Sequence, residues 1–194
     1  MITLEQLLES RDRRAQHQQE LLQAFPGCSL VCLTVQPPGP VKRSRESLLT
    51  GGAGLSALLD KFGSVLRHAQ VRDLVTGYEA YLLVALPPRL TKQLCVDIED
   101  RHPLGRLMDL DVVFAPSPVV GESTEMPHSV DTKAQTPGVS TNTAVIVDRA
   151  ALGLPERRCL LCGQPARYCM RARTHTTAQL LEKIHQMVED YMNM

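Results

Sequence analysis

Proline and glycine cut this sequence into pieces that have room only for single helices and single short strands. The stops are Pro26-Gly27, Pro37-Pro38-Gly39-Pro40, Pro87-Pro88 and His102-Pro103. Proline lacks the amide donor and fixes its own backbone angle, so a helix or buried strand ends there. Before the first stop, Thr3-x-x-Gln6 forms a capping-box pattern with Ile2 and Leu7 as its staple, predicting a helix from about Leu4 to Phe25. Leu4, Leu8, Arg11, Ala15, Gln18, Leu22 and Phe25 recur on it at helical period. That stripe sets Arg11 and Gln18 at the edge of a groove, unless Arg11 turns its guanidinium outward to solvent.

The apolar runs Cys28–Val35, Glu79–Leu86 and Met108–Phe114 have strand length, and Ala144–Val147 has the length of a short strand. Helices are expected over Glu46–Leu66, with a break at Gly51-Gly52-Ala53-Gly54, and over Arg89–Asp100. The glycine run lacks the lysine and hydroxyl residue of a phosphate loop and is read as structural. Thr176-x-x-Gln179 caps a final helix whose apolar face is Leu180, Ile184, Met187, Val188 and Tyr191. Residues 115–143, rich in Pro, Ser, Thr and Val, are expected to form a flexible insertion loop. The expected fold is α/β, an α+β mixed sheet in one domain over residues 1–194, with a Cys/Arg-rich segment and C-terminal helix over 155–194.

Apolar residues make up 43% and charged residues 22%, and the net charge is zero. That composition argues against disorder and against a dedicated nucleic-acid binder. No run approaches the roughly 18 apolar residues of a membrane span, and the first residues lack the apolar core of a signal peptide. With six cysteines, a reducing, cytoplasmic location is expected.

The sharpest chemical signal is His102-Pro103-Leu104-Gly105-Arg106-Leu107-Met108-Asp109-Leu110-Asp111. Side chains alternate along a strand, so Leu110, Val112 and Phe114 face the core while Asp109 and Asp111 share the other face, about 7 Å apart. Two such carboxylates suit magnesium, which takes oxygen ligands and substrate phosphates. Gly105 would let backbone approach a phosphate and Arg106 would donate a fork to it. A half-exposed strand shows the same alternation without any chemistry, and the neighbouring Gly-Arg is what favours a site. The arrangement is similar to that of nucleotidyltransferases, with tighter spacing.

Cys159, Cys162, Cys169 and His175 supply three thiols and an imidazole, enough for tetrahedral zinc. The pair Leu160-Leu161 equally suits buried structural thiols, and redox chemistry is a further reading. Arg157, Arg158, Arg167, Arg171, Arg173 and His175 form either a solvated surface or an anion-binding wall.

Four segments together resemble the holo-citrate lyase synthase family, also called apo-citrate lyase phosphoribosyl-dephospho-CoA transferases. They are Ser10-Arg11-Asp12-x-Arg14 with Arg13, Pro38-Gly39-Pro40-Val41-Lys42, Glu99 to Val113, and Arg157-Arg158-Cys159-Leu160-Leu161-Cys162 continuing through Ala166, Cys169, Arg171 and His175. They span nearly the whole chain. Two features depart from the pattern: residues 117–143 look longer than the family requires, and Met108 stands where an aromatic is common.

The resemblance implies transfer of a 5-phosphoribosyl-dephospho-CoA group from triphosphoribosyl-dephospho-CoA to a serine of the citrate lyase acyl-carrier (gamma) subunit, with release of pyrophosphate. It implies magnesium on Asp109 and Asp111, with Arg106 on the phosphates. Arg11, Arg13, Lys42 and Arg171 become candidates to grip the donor, with His102, Gly105 and His175 beside it. His102 or a carboxylate oxygen would take the serine proton. Glu99, Asp131 and Asp148 are candidates for a third metal carboxylate. Neither a nucleic acid nor a membrane is an expected partner. The rival readings are the related synthase serving malonate decarboxylase and a non-catalytic zinc-knuckle adaptor.

Overall fold

The computed structural model describes residues 2–116 and 144–194. From Ser117 on, the expected insertion loop lies outside the described residues, and so does Asp131. The elements run α1 (Leu4–Ala24), β1 (Ser29–Val35), α2 (Arg45–Phe62), β2 (Leu66–Leu74), β3 (Gly77–Val84), α3 (Pro88–Arg101), β4 (Asp109–Phe114), β5 (Val145–Val147), α4 (Ala166–Ala172) and α5 (Thr177–Met192). The strands form one sheet in the order β2-β3-β1-β4-β5, every pairing antiparallel. The expected combination of helices and sheet is found, with the cysteines in a largely helical C-terminal segment.

Alternation along the strands builds two apolar layers. Val31, Leu33, Val35, Ala80, Leu82, Val84, Leu110 and Val112 face α2, α3 and α5, where Leu58, Phe62, Cys95, Ile98 and Val188 close the main core. On the opposite face Leu30, Cys32, Tyr81, Leu83 and Val113 pack beneath Leu21 and Leu22 of α1. With both faces covered, every residue of β1 and β3 is buried.

Helix α2 corrects one expectation: it runs unbroken through Gly51-Gly52-Ala53-Gly54. These glycines bring helix and sheet together. A Cβ on Gly51 would lie 2.4 Å from the ring of Tyr78, and one on Gly54 would lie 3.0 Å from Met108 Sδ. The helix stops at Phe62, short of the expected Leu66, and a strand the sequence reading lacked then forms the sheet edge. That strand, β2, is polar and mostly exposed, with no apolar run to announce it.

The stripe of α1 also differs. Leu4 and Leu8 are exposed, and the inward line runs through Leu7, Ser10, Arg14, Gln18 and Leu21. The contact here is polar. The hydroxyls of Ser10 and Thr76 are 2.9 Å apart, and Arg14 donates twice to Oε1 of the buried Glu79, from Nε at 2.9 Å and Nη2 at 2.8 Å. Apolar spacing alone could not locate a face held by such bonds. The capping boxes of α1 and α5 are present as expected, and α2 carries another at Ser44.

Candidate functional site

Strand β4 carries the two aspartates on the face opposite Leu110 and Val112, both of which are fully buried. Asp109 stands opposite Thr34 and Asp111 opposite Cys32 on β1. On its other edge β4 pairs with β5 only from Val112 to Phe114, so Leu110 has no strand partner there. Two buried side chains of α3 take that place. Glu99 Oε1 accepts the Leu110 amide at 3.0 Å, and Lys92 Nζ donates to the Leu110 carbonyl at 2.6 Å. Helix α3 thus fixes the backbone between the aspartates.

The carboxylates sit among guanidinium groups. Arg157 Nη2 lies 3.0 Å from Glu99 Oε1 and donates to the Met108 carbonyl at 2.5 Å, while its Nη1 lies 3.5 Å from Asp109 Oδ1. Arg149 reaches Glu99 Oε2 at 3.2 Å and Asp100 Oδ2 at 3.0 Å. Arg106 donates to the carbonyl of Arg158. Burial, and next the charge of Arg157, lower the pKa of Arg106. Burial, and next the negative charge of Asp109, raise that of Asp111.

Two cavities meet at this point. One, of about 330 Å³, is lined by Arg14, Thr34, Glu46 and Arg106 among others; the second, of about 490 Å³, includes Lys92, Glu99, Asp148 and Arg149. Asp109, Asp111 and Arg157 line both. The donor set fits a hard divalent cation: two oxygen ligands on one face that raise each other's energy until a positive charge comes between them. Among the third-carboxylate candidates, Glu99 is engaged by arginines, whereas Asp148 lines the second cavity and accepts the Ala151 amide at 2.8 Å.

Other expected residues lie apart. Arg11 and Arg13 are exposed on the outer side of α1, Arg13 bonded to Glu9, and it is Arg14 that lines the first cavity. Lys42 donates to the Pro37 carbonyl at 2.7 Å, beneath the loop at the cavity rim. His102 Nδ1 accepts the Leu104 amide at 3.0 Å, its ring lies against Tyr191, and burial lowers its pKa. Gly105 is buried with its α-carbon against α3, where a Cβ would lie 2.5 Å from the Ile98 carbonyl oxygen. Its glycine identity therefore serves helix packing. Arg171 borders a shallow hollow with Arg167 and Tyr168.

The sequence places Arg157 only in a possible anion-binding wall and gives Arg14, Lys92 and Arg149 no place in the site. Arg157 had a signal, its place in the Arg-Arg-Cys string. Lys92 and Arg149 had none, because only the fold brings them to β4.

The sulfurs of Cys159, Cys162 and Cys169 and a ring nitrogen of His175 all lie within 4.8 Å of one another. Burial pushes the Cys159 thiol up, but hydrogen bonds with the amides of Leu161 and Cys162 and with the Cys169 and Cys162 thiols together outweigh it and hold it down to about 6.

Fold and site together define a mixed α/β protein whose sheet presents a carboxylate pair among guanidinium groups, an arrangement suited to phosphorylated ligands. Comparison with known proteins narrows this. The apo-citrate lyase phosphoribosyl-dephospho-CoA transferase family matches residues 2–123 and 138–191. A probable apo-citrate lyase phosphoribosyl-dephospho-CoA transferase of Streptococcus pyogenes serotype M5 (strain Manfredo) is 31% identical over 193 residues, covering 99% of this chain and 88% of the relative. An apo-citrate lyase phosphoribosyl-dephospho-CoA transferase of Escherichia coli O1:K1 / APEC is 32% identical over 192 residues, 97% of this chain and 90% of the relative. The chain belongs to the apo-citrate lyase phosphoribosyl-dephospho-CoA transferase family. Among the described residues no helix is long and apolar enough to cross a membrane.

Proposed function

We propose that this protein is a nucleotidyltransferase that moves the 5-phosphoribosyl-dephospho-CoA group from triphosphoribosyl-dephospho-CoA to a serine of the apo citrate lyase acyl-carrier (gamma) subunit. The observation that carries the reading is the meeting of two cavities at Asp109, Asp111 and Arg157, in a chain of this family. The serine oxygen forms a bond to the α-phosphorus as the bond from that phosphorus to the bridging oxygen of the β-phosphate breaks, and pyrophosphate leaves with the electron pair. Asp109 and Asp111 would hold magnesium, which supplies positive charge to the phosphoryl oxygens.

Arg106 and Arg157 border the space for the triphosphate and supply fork donors to it. A carboxylate oxygen of the aspartate pair takes the serine proton, since His102 already uses Nδ1 for the Leu104 amide. The six free thiols suit a reducing cytoplasm.

The test is the intact mass of the apo acyl-carrier subunit after incubation with protein, donor and magnesium. A gain of one phosphoribosyl-dephospho-CoA group, lost when the acceptor serine is replaced by alanine, is expected. Modification of a malonate decarboxylase carrier in place of the citrate lyase carrier would overturn the assigned partner.

A further inference from the structure

We propose that Cys159, Cys162, Cys169 and His175 form a structural zinc site that holds the arginine-bearing loop against β4. The ligand atoms are spaced as around one tetrahedral ion. Zinc bound at about 2.3 Å to sulfur and about 2.0 Å to nitrogen sets neighbouring tetrahedral ligand atoms roughly 3.5–3.8 Å apart. Here Cys162 Sγ lies 3.5 Å from Cys169 Sγ and 3.4 Å from His175 Nε2, and all four ligand atoms fall within 4.8 Å of one another.

The backbone is shaped for the same purpose. Cys159 donates its amide to the Gln164 carbonyl at 2.7 Å and Ala166 to the Arg157 carbonyl at 2.8 Å, closing a knuckle around Cys159-x-x-Cys162. Cys169 comes from α4. His175 follows the left-handed turn at Arg173, with φ of 49°.

Packing gives the second, independent reason. From Pro155 to His175 the one buried residue is Cys169, while Tyr168 and Met170 are largely exposed. A segment with so little apolar burial does not gather four soft ligands by hydrophobic packing, and a metal supplies the missing cross-link. The consequence reaches the carboxylates. Arg157 and Arg158 immediately precede Cys159, and they make the contacts to Glu99, Asp109 and Arg106. The zinc is therefore a positioning element for the site, and it goes beyond the transfer reaction proposed above.

The test is metal analysis of the full chain purified without added metal, followed by exchange with cobalt(II). One zinc per chain is expected. The cobalt form should show the intense thiolate charge-transfer and visible absorption of a tetrahedral sulfur-rich site. Cys162→Ser should lose the metal, and Cys28→Ser, outside the cluster, should keep it. If Cys162→Ser does not fold, the wild-type zinc content and cobalt spectrum decide alone. A metal-free wild type that takes up neither ion would overturn the proposal, as would a metal-free chain lighter by two hydrogens through a Cys162–Cys169 disulfide. These readouts do not depend on transfer activity, so their failure and that of the proposed reaction are separable.

Discussion

Glu99 accepts the amide of Leu110 at 3.0 Å, and Leu110 is the residue that separates Asp109 from Asp111. The same carboxylate pairs with Arg149 and Arg157. A single buried glutamate thereby ties helix α3, strand β4 and the arginine-bearing loop together. Replacing Glu99 by Ala removes the buried acceptor of the Leu110 amide and takes from Arg149 and Arg157 the one carboxylate they share, at an expected cost of about 3 kcal/mol. Urea denaturation measures this as a lowered midpoint; an unchanged midpoint would show that the cluster does not hold the strand.

The second buried glutamate predicts an asymmetry. Arg14→Ala leaves Glu79 with the Tyr81 hydroxyl, 2.5 Å away, as its remaining side-chain partner and should cost about 3 kcal/mol. Adding Glu79→Gln to Arg14→Ala should recover part of the loss, because the stranded charge is then gone. A double variant as unstable as the sum of the two single variants would contradict the pairing.

Two neighbouring glycines should respond with opposite signs. At Gly51 a methyl group meets the ring of Tyr78, so Gly51→Ala should destabilise by about 1–3 kcal/mol through overpacking. At Gly52 a Cβ meets nothing within 4 Å, so Gly52→Ala should stabilise by up to about 1 kcal/mol through helix propensity. Thermal midpoints of the two variants test the unbroken course of α2.

Asp111 should show its charge in a pH series. Its folded-state pKa is raised by burial and by Asp109, so its contribution to stability is fully present below the unfolded carboxylate value. That contribution is lost as pH rises through the raised value. Asp111→Asn lacks this loss. Without divalent metal, its thermal midpoint should exceed that of the wild type at neutral pH, with the gap closing toward acid. Magnesium should raise the wild-type midpoint and leave the variant unmoved. A wild type that gains nothing from magnesium would contradict the ligand assignment.

Much of this architecture was legible in the sequence because it rests on local rules. The proline stops, the capping boxes at Thr3 and Thr176 and the alternation through Asp109, Leu110 and Asp111 each specify structure within a few residues. What escaped is long-range or polar. Strand β2 has no apolar run and takes its form from β3. The buried stripe of α1 follows Ser10 and Arg14 because their partners, Thr76 and Glu79, lie more than sixty residues away. The motif suggests a phosphate contact at Gly105, yet the constraint on this glycine comes from the α3 backbone. Lys92 reaches the site only because the fold sets α3 beside β4, where it bonds the Leu110 carbonyl.

The most direct test of the central claim is magnesium-dependent transfer by Asp109→Asn and Asp111→Asn, followed by the mass of the apo acyl-carrier subunit. Both variants should fold with unchanged far-ultraviolet circular dichroism. Each should lose transfer by at least about a hundredfold, as expected when an electrostatic contact to the reacting phosphoryl group is removed. Wild-type rates from either variant would contradict a role for the paired carboxylates and return the strand to a merely structural one.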